Sequence, residues 1–180
     1  MSEILVPWKK DLILTWDDYV GLIENTPQKA WTHTRLKYIH NTKLHKTKTK
    51  TKFQITNITV TAYYNKSTSW VKPEMKTRHD QAQILKHEQG HLDLAEMSAR
   101  KIEYKMKKEF EGKKFTCKGK TEQEQIAFAK SESKKMLEEK WKELLPEWHN
   151  YETNYDDKTQ HGMNNTAQIL YDQIFDNLRK

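Results

Sequence analysis

The sequence predicts a small α+β domain, on three observations. β-Prone residues are concentrated before residue 73. From Thr77 onward the apolar residues recur at helical spacing. Only 5 Gly and 4 Pro punctuate 180 residues, so the elements should be long. Strands first and helices after is the order of an α+β fold. We therefore expect one domain over residues 1–180, mainly strands in 1–73 and mainly helices in 77–180. Its expected architecture is a twisted antiparallel or mixed sheet, then a long helix and two further helices.

Leu12 to Trp16 is β-prone and is ended by Asp17, Asp18 and Gly21. Ala30 to Ile39 is a second strand candidate. From Lys43 to Lys52 lysine and threonine alternate, which fits an exposed edge hairpin whose lysines discourage edge pairing. Ile55 to Tyr64 is the clearest strand, with Ile58, Val60, Ala62 and Tyr64 facing one way. Thr77 with Asp80 looks like a capped helix start, and the helix runs to about Phe110. Lys113 to Lys120 reads as loop. Thr121 with Glu124 starts a second helix, which Pro146 should stop after Leu145. Glu147 to Lys158 reads as irregular. Asn164 to Leu178 is a closing helix whose expected apolar face is Ile169, Leu170, Ile174, Phe175 and Leu178.

The net charge is +7, and 11% of the residues are aromatic, enough to build a core. One cysteine, Cys117, excludes an internal disulfide and a thiolate zinc cage. The N-terminal apolar run is too short for a signal peptide or a membrane span, so the expectation is a soluble cytoplasmic protein. The lysine stripe permits nucleic acid as a partner. It lacks the neighbouring aromatic and arginine readers that such patches usually carry, which makes that partner the weaker expectation.

The chemistry is concentrated in His87-Glu88-Gln89-Gly90-His91, a match to H-E-x-x-H. Two imidazoles four residues apart share one helical face and can bind one tetrahedral ion. The adjacent glutamate can take a proton from a bound water. With 8 His and 16 Glu in the chain, a chance match arises on the order of a few per cent of the time. Orientation adds to spacing. With His87 at zero, the apolar residues of this helix span an arc from about −20° to about 160°. His91 and Glu88, at about 40° and 100°, lie inside that arc. Polar groups on a buried face are costly unless paired or metal-bound.

Zinc needs a third protein ligand. Asp93 and Glu96 project at about 240° and 180°, away from the histidines. The candidates lie far along the chain: His149, Asp156 and His161. His161 stands out because it precedes the last helix and is followed by Gly162, which permits close backbone approach.

The segment Leu85 to Glu96, with Tyr155-Asp156, Thr159-Gln160-His161-Gly162 and Gln168, resembles the bacterial domain of unknown function numbered 922, described as zinc-dependent proteases. Trp16 to Tyr19 and Ser69-Trp70-Val71 are also similar to it, so the resemblance spans most of the chain. It departs at Leu92 and Tyr171, where members often carry aromatics, and in lacking an export signal. The resemblance implies a zincin-like site with His161 as the third zinc ligand, and peptidase activity.

The expected function is therefore zinc-dependent peptide hydrolysis. His87, His91 and His161 bind Zn2+, and Glu88 is the general base. Tyr155, close to His161 in sequence, is the candidate oxyanion donor. Asp93 and Asp156 are candidate partners for the outer nitrogens of the histidines. A peptide or protein substrate could add as a strand along Ile55 to Tyr64. The alternatives are a non-catalytic zinc-stabilised binding domain and a basic nucleic-acid binder.

Overall fold

The computed structural model describes residues 3–77 and 79–180. It is α+β, with a sheet-rich N-terminal part followed by three helices. The strands are β1 (Leu5–Pro7), β2 (Ala30–Trp31), β3 (Thr34–Lys46), β4 (Thr51–Asn65), β5 (Trp70–Val71) and β6 (Lys114–Thr116). The helices are α1 (Gln81–Phe110), α2 (Glu122–Thr159) and α3 (Asn165–Leu178). β4 is central, between β1 and β3, and also pairs β6; β2 and β5 form a separate antiparallel pair. The chain forms two compact units, residues 1–37, 61–99 and 148–180 in the first and 38–60 and 100–147 in the second. Among the described residues, no helix is long and apolar enough to cross a membrane.

In the first unit, Leu14, Trp16, Tyr19, Tyr64, Met75, Ile84 and Leu92 form one buried cluster. Leu12 to Trp16 is not a strand. Leu14 and Trp16 are buried alternately, as a strand would require, but the Leu14 N–H donates to the Gln89 side chain at 2.8 Å instead of to a sheet. α1 starts at Gln81, four residues after the expected cap, because Thr77 ends a short 3-10 turn over Pro73–Lys76. Asp93 points away from the histidines, as the helical wheel requires, yet it is buried. It accepts from Arg179 at 2.6 and 3.0 Å and from the Trp8 indole at 2.7 Å. Arg179 also donates to the carbonyls of Lys10 and Leu12. Asp93 thus ties the chain ends together and is not the partner of a site histidine.

α2 runs straight through Pro146 to Thr159, where the sequence suggested a stop and an irregular stretch. Proline removes one helical N–H, which frees the carbonyl four residues earlier. Pro146 and Lys142 are both exposed, so water can serve that carbonyl. The continuation puts Glu152, Tyr155, Asp156 and Thr159 on one helical face. In α3 the expected apolar face is turned: Ile169, Leu170 and Ile174 are exposed, while Gln168 and Phe175 are buried.

In the second unit, Phe53 is buried against Phe115 and Phe128. Phe53 and Ile55 are buried at odd positions of β4, and Ile58, Val60, Ala62 and Tyr64 at even ones. The switch falls at Asn57, whose φ of 54° is the left-handed conformation of an inserted bulge residue. Its N–H donates to Glu111 and that of Val60 to Glu103. The Ile55 to Tyr64 segment is therefore an interior strand whose remaining donors are capped by helix carboxylates. It offers no edge to a substrate.

Asp93→Ala should cost about 3–5 kcal/mol in denaturant unfolding, because it strands the largely buried Arg179 guanidinium. Metal content of the folded fraction should not change, since Asp93 touches neither His87 nor His91.

Candidate metal centre

His87 and His91 lie one turn apart on α1, both buried, with ring centroids 4.8 Å apart. Their Nε2 atoms are 3.2 Å apart. Asp156 on α2 sets Oδ1 3.1 Å from each of them. Two nitrogens and one oxygen thus form a nearly equilateral triangle.

The surroundings fix the protons. His91 Nδ1 is 2.8 Å from the Glu152 carboxylate, which can only accept, so this nitrogen carries the hydrogen. Glu152 is itself held by the Trp148 indole at 3.1 Å. His87 Nδ1 is 3.2 Å from the Thr159 hydroxyl, which donates its own proton to the Tyr155 carbonyl at 2.6 Å and so accepts from the imidazole. Gln168 Oε1, at 3.3 Å, is a second acceptor for the same N–H. With both Nδ1 atoms protonated, the neutral rings have bare lone pairs on Nε2. Two such lone pairs and a carboxylate converge on one point, an arrangement that is repulsive without a positive charge.

The same crowding also draws protons, which would compete with a metal ion for the Nε2 lone pairs. Burial alone would depress the His91 imidazole, but the carboxylates of Glu152 and Asp156 outweigh it and raise its pKa well above the ordinary value. Burial alone would raise Asp156, but hydrogen bonds with His87 and His91 and their charge hold it well below the usual carboxylate range.

The donor set fits a divalent ion. Donors about 2.0–2.1 Å from a tetrahedral zinc lie roughly 3.3 Å apart, close to the observed edges. Imidazole nitrogens with a carboxylate are zinc ligands, and the outer nitrogens carry the carboxylate and hydroxyl partners that metal-bound histidines require. Glu88 adds an independent observation. It is buried, and its Oε2 has no hydrogen-bond partner among the described residues. It lines a cleft of about 300 Å³ together with Lys29, Ala30, Ile84, His161 and Met163.

The structure brings His87, His91 and Asp156 together, with all three donor atoms within 4.8 Å of one another. His161 stands outside this set. Its side chain is 58% exposed, its ring centroid is 6.3 Å from that of His87, and its Nδ1 is 3.4 Å from Asp156 Oδ1. Gln160 and His161 both have left-handed backbones, with φ of 50° and 52°, and Gly162 follows at 81°. A Cβ on Gly162 would lie 2.8 Å from His87 Cβ, so only glycine allows the turn to pass there. His149 is exposed on α2 and stacks on Trp148.

Tyr155, the expected oxyanion donor, is fully buried. Its ring stacks on His87 with centroids 4.6 Å apart, and its hydroxyl donates to the His87 carbonyl at 3.1 Å and accepts from Gln168 at 2.9 Å. It is a wedge between α1 and α2. Gly90 makes room for it: a Cβ there would lie 2.1 Å from the phenol oxygen. Sequence reasoning finds no sign of Glu152, and it offers Thr159 and Gln168 only as motif residues of the resemblance, without a role. For Glu152 and Thr159 the signal is their helical spacing from Asp156, legible only with α2 continued past Pro146, whereas Gln168 reaches the site from α3. Comparison with protein-family models, with curated proteins and with solved structures gave no match, so the resemblance drawn from the sequence rests on its motifs alone.

Gly90→Ala should lower stability by about 1–3 kcal/mol through overpacking against Tyr155. An ordinary helical Gly→Ala gains up to about 1 kcal/mol, so a rise in melting temperature would contradict the packing described. Glu152→Ala should weaken zinc binding by about 10–100-fold in a competition titration, the usual loss when the outer partner of a ligand histidine is removed.

Proposed function

We propose that this protein is a zinc-dependent hydrolase acting on peptide bonds, with His87, His91 and Asp156 as the metal-holding residues and Glu88 as the general base. The observation that carries this reading is the convergence of three lone pairs beside a buried carboxylate whose Oε2 has no partner among the described residues and which opens onto a cleft. When bound, zinc supplies Lewis acidity and brings the pKa of a water towards roughly 7. Glu88 accepts the proton of the attacking water and returns it to the departing amine. Burial keeps Glu88 free of bulk water, and its orphaned oxygen leaves it an acceptor site for that proton.

The cleft suits an extended chain. The Lys72 N–H donates to the Lys29 carbonyl, and Ala30 opposes Val71 in the β2–β5 register. Ala30 is therefore in a non-hydrogen-bonded pair, and its own N–H and C=O turn to the other edge of β2. Ala30 lines the cleft with Glu88, so this edge, and not Ile55 to Tyr64, is the place for an added peptide strand. His161 lines the same cleft at its exposed side, where its imidazole can donate to a developing oxyanion. The role first expected of Tyr155 passes to it in this reading.

Purified protein should bind one zinc. Asp156→Ala should weaken that binding by orders of magnitude, while His161→Ala should retain the metal and lower kcat. Loss of metal in His161→Ala with retention in Asp156→Ala would reassign the third ligand. Glu88→Gln should keep zinc and lose about 10²–10⁴-fold in peptide-library cleavage at neutral pH. Equal cleavage by wild type and Glu88→Gln would exclude Glu88 as the base. Metal binding without cleavage by any form would favour the non-catalytic zinc domain.

A further inference from the structure

The second unit carries a charge pattern that the metal centre does not use. Its sequence holds 19 Lys and Arg against 10 Asp and Glu, whereas the first unit holds 13 against 15. The excess is not spread evenly. On the helical segments of this unit, lysines pair with glutamates: Lys101 and Lys105 with Glu147, Lys107 with Glu103, and Lys140 with Glu109 and Glu143. Residues 38–60 hold five lysines and no acid. Among the described residues, Lys46 is the only one of these five with an ion pair, to Glu122.

The sheet brings the others to one face. Lys52 opposes Thr116 and Gln54 opposes Lys114, so Lys52 and Lys114 share a face of the β4–β6 pair. The Thr47 N–H donates to the Lys50 carbonyl, which sets the β3–β4 hairpin so that Lys43 falls opposite Gln54. His45 bonds the Gln54 side chain at 2.6 Å on this same face. Phe53 and Phe115 turn to the other side, where they pack together. Lys48 and Lys50 are exposed at the hairpin tip, and Lys113 adjoins β6. Over residues 38–54 and 113–116, the described side chains of this face include no acid, no arginine and no phenyl, phenol or indole ring. It does present Ile39, 70% exposed and in phase with Lys43 along β3.

We propose that this lysine face docks the protein on an anionic lipid bilayer. Unpaired lysines match the diffuse negative charge of a headgroup layer, and an exposed isoleucine on the same strand face suits the boundary between headgroups and acyl chains. Nucleic acid is less well matched. Strand binding uses stacking aromatics, and base reading uses forked side chains, neither of which this face offers.

The test is co-sedimentation of the full chain with vesicles of phosphatidylcholine alone and with phosphatidylglycerol added, at low and high salt. Binding should require the anionic lipid and fall with salt. Lys43, Lys48, Lys52 and Lys114 replaced together by Gln should weaken it by at least 100-fold, since one lysine near an anionic surface contributes about fivefold. The same change at Lys130, Lys134, Lys135 and Lys142, exposed on α2, is the control and should cost little. If the first set fails to fold, Lys48→Gln with Lys50→Gln at the hairpin tip replaces it, with a loss of more than tenfold expected. Equal losses in the test and control sets would reduce the effect to net charge and overturn the proposal. So would no sedimentation with anionic vesicles, or tighter binding to duplex DNA than to vesicles at equal phosphate.

Discussion

The structure of the first unit depends on where two protons sit. If Nδ1 of His87 and of His91 each carry a hydrogen, both Nε2 lone pairs point inward at Asp156, and the buried centre demands a cation. Thr159, Gln168 and Glu152 hold those protons in place, and they come from α2 and α3, not from the helix that bears the histidines. A proton could relieve one of the three close contacts. A divalent ion would relieve all three, which is why we propose a metal centre here and not a hydrogen-bonded core pair.

The packing around that centre follows from the same demand. Tyr155 fills the space between α1 and α2, stacks on His87 and closes its hydroxyl onto the His87 carbonyl, so the ring whose proton must be fixed is also fixed in angle. Gly90 and Gly162 exist to permit approach, one to the phenol and one to the imidazole. The left-handed pair Gln160 and His161 costs of order 1–3 kcal/mol per residue, and such strain persists where surrounding structure over-determines it. Here the helix end at Thr159 and the passage of Gly162 beside His87 supply that constraint, and they leave the His161 imidazole at the mouth of the cleft.

What was legible in the sequence was whatever rested on helical period. His87, Glu88 and His91 were found because i, i+1 and i+4 on an apolar arc has few meanings. The misreadings have physical causes. Leu12 to Trp16 alternates like a strand because it lies across a core, but its hydrogen bond goes to Gln89. Pro146 suggests a stop, but α2 continues through it at an exposed position, and Glu152 becomes visible only with the helix that carries it. Asp156 was seen as a ligand candidate and as an outer partner, since sequence distance cannot say which atom faces a metal. The α3 face was misassigned because Gln168, a polar residue, takes the buried position and leaves Ile169 and Leu170 outside.

The charge of the centre bears on what its residues can do. Asp156, Glu152 and Glu88 place three carboxylates around two neutral imidazoles in a largely buried space. An unpaired charge in such a place costs several kcal/mol even after relaxation. One added proton leaves two negative charges uncompensated. A divalent ion leaves one, and the carboxylate with an oxygen unpartnered among the described residues is Glu88, on the cleft side. Transfer of a proton from an attacking water to Glu88 leaves the total charge unchanged, since it moves the negative charge from the carboxylate to the water oxygen. That oxygen would lie beside the cation, where negative charge is better held than on a buried carboxylate, which ties the burial of Glu88 to its proposed role as the base.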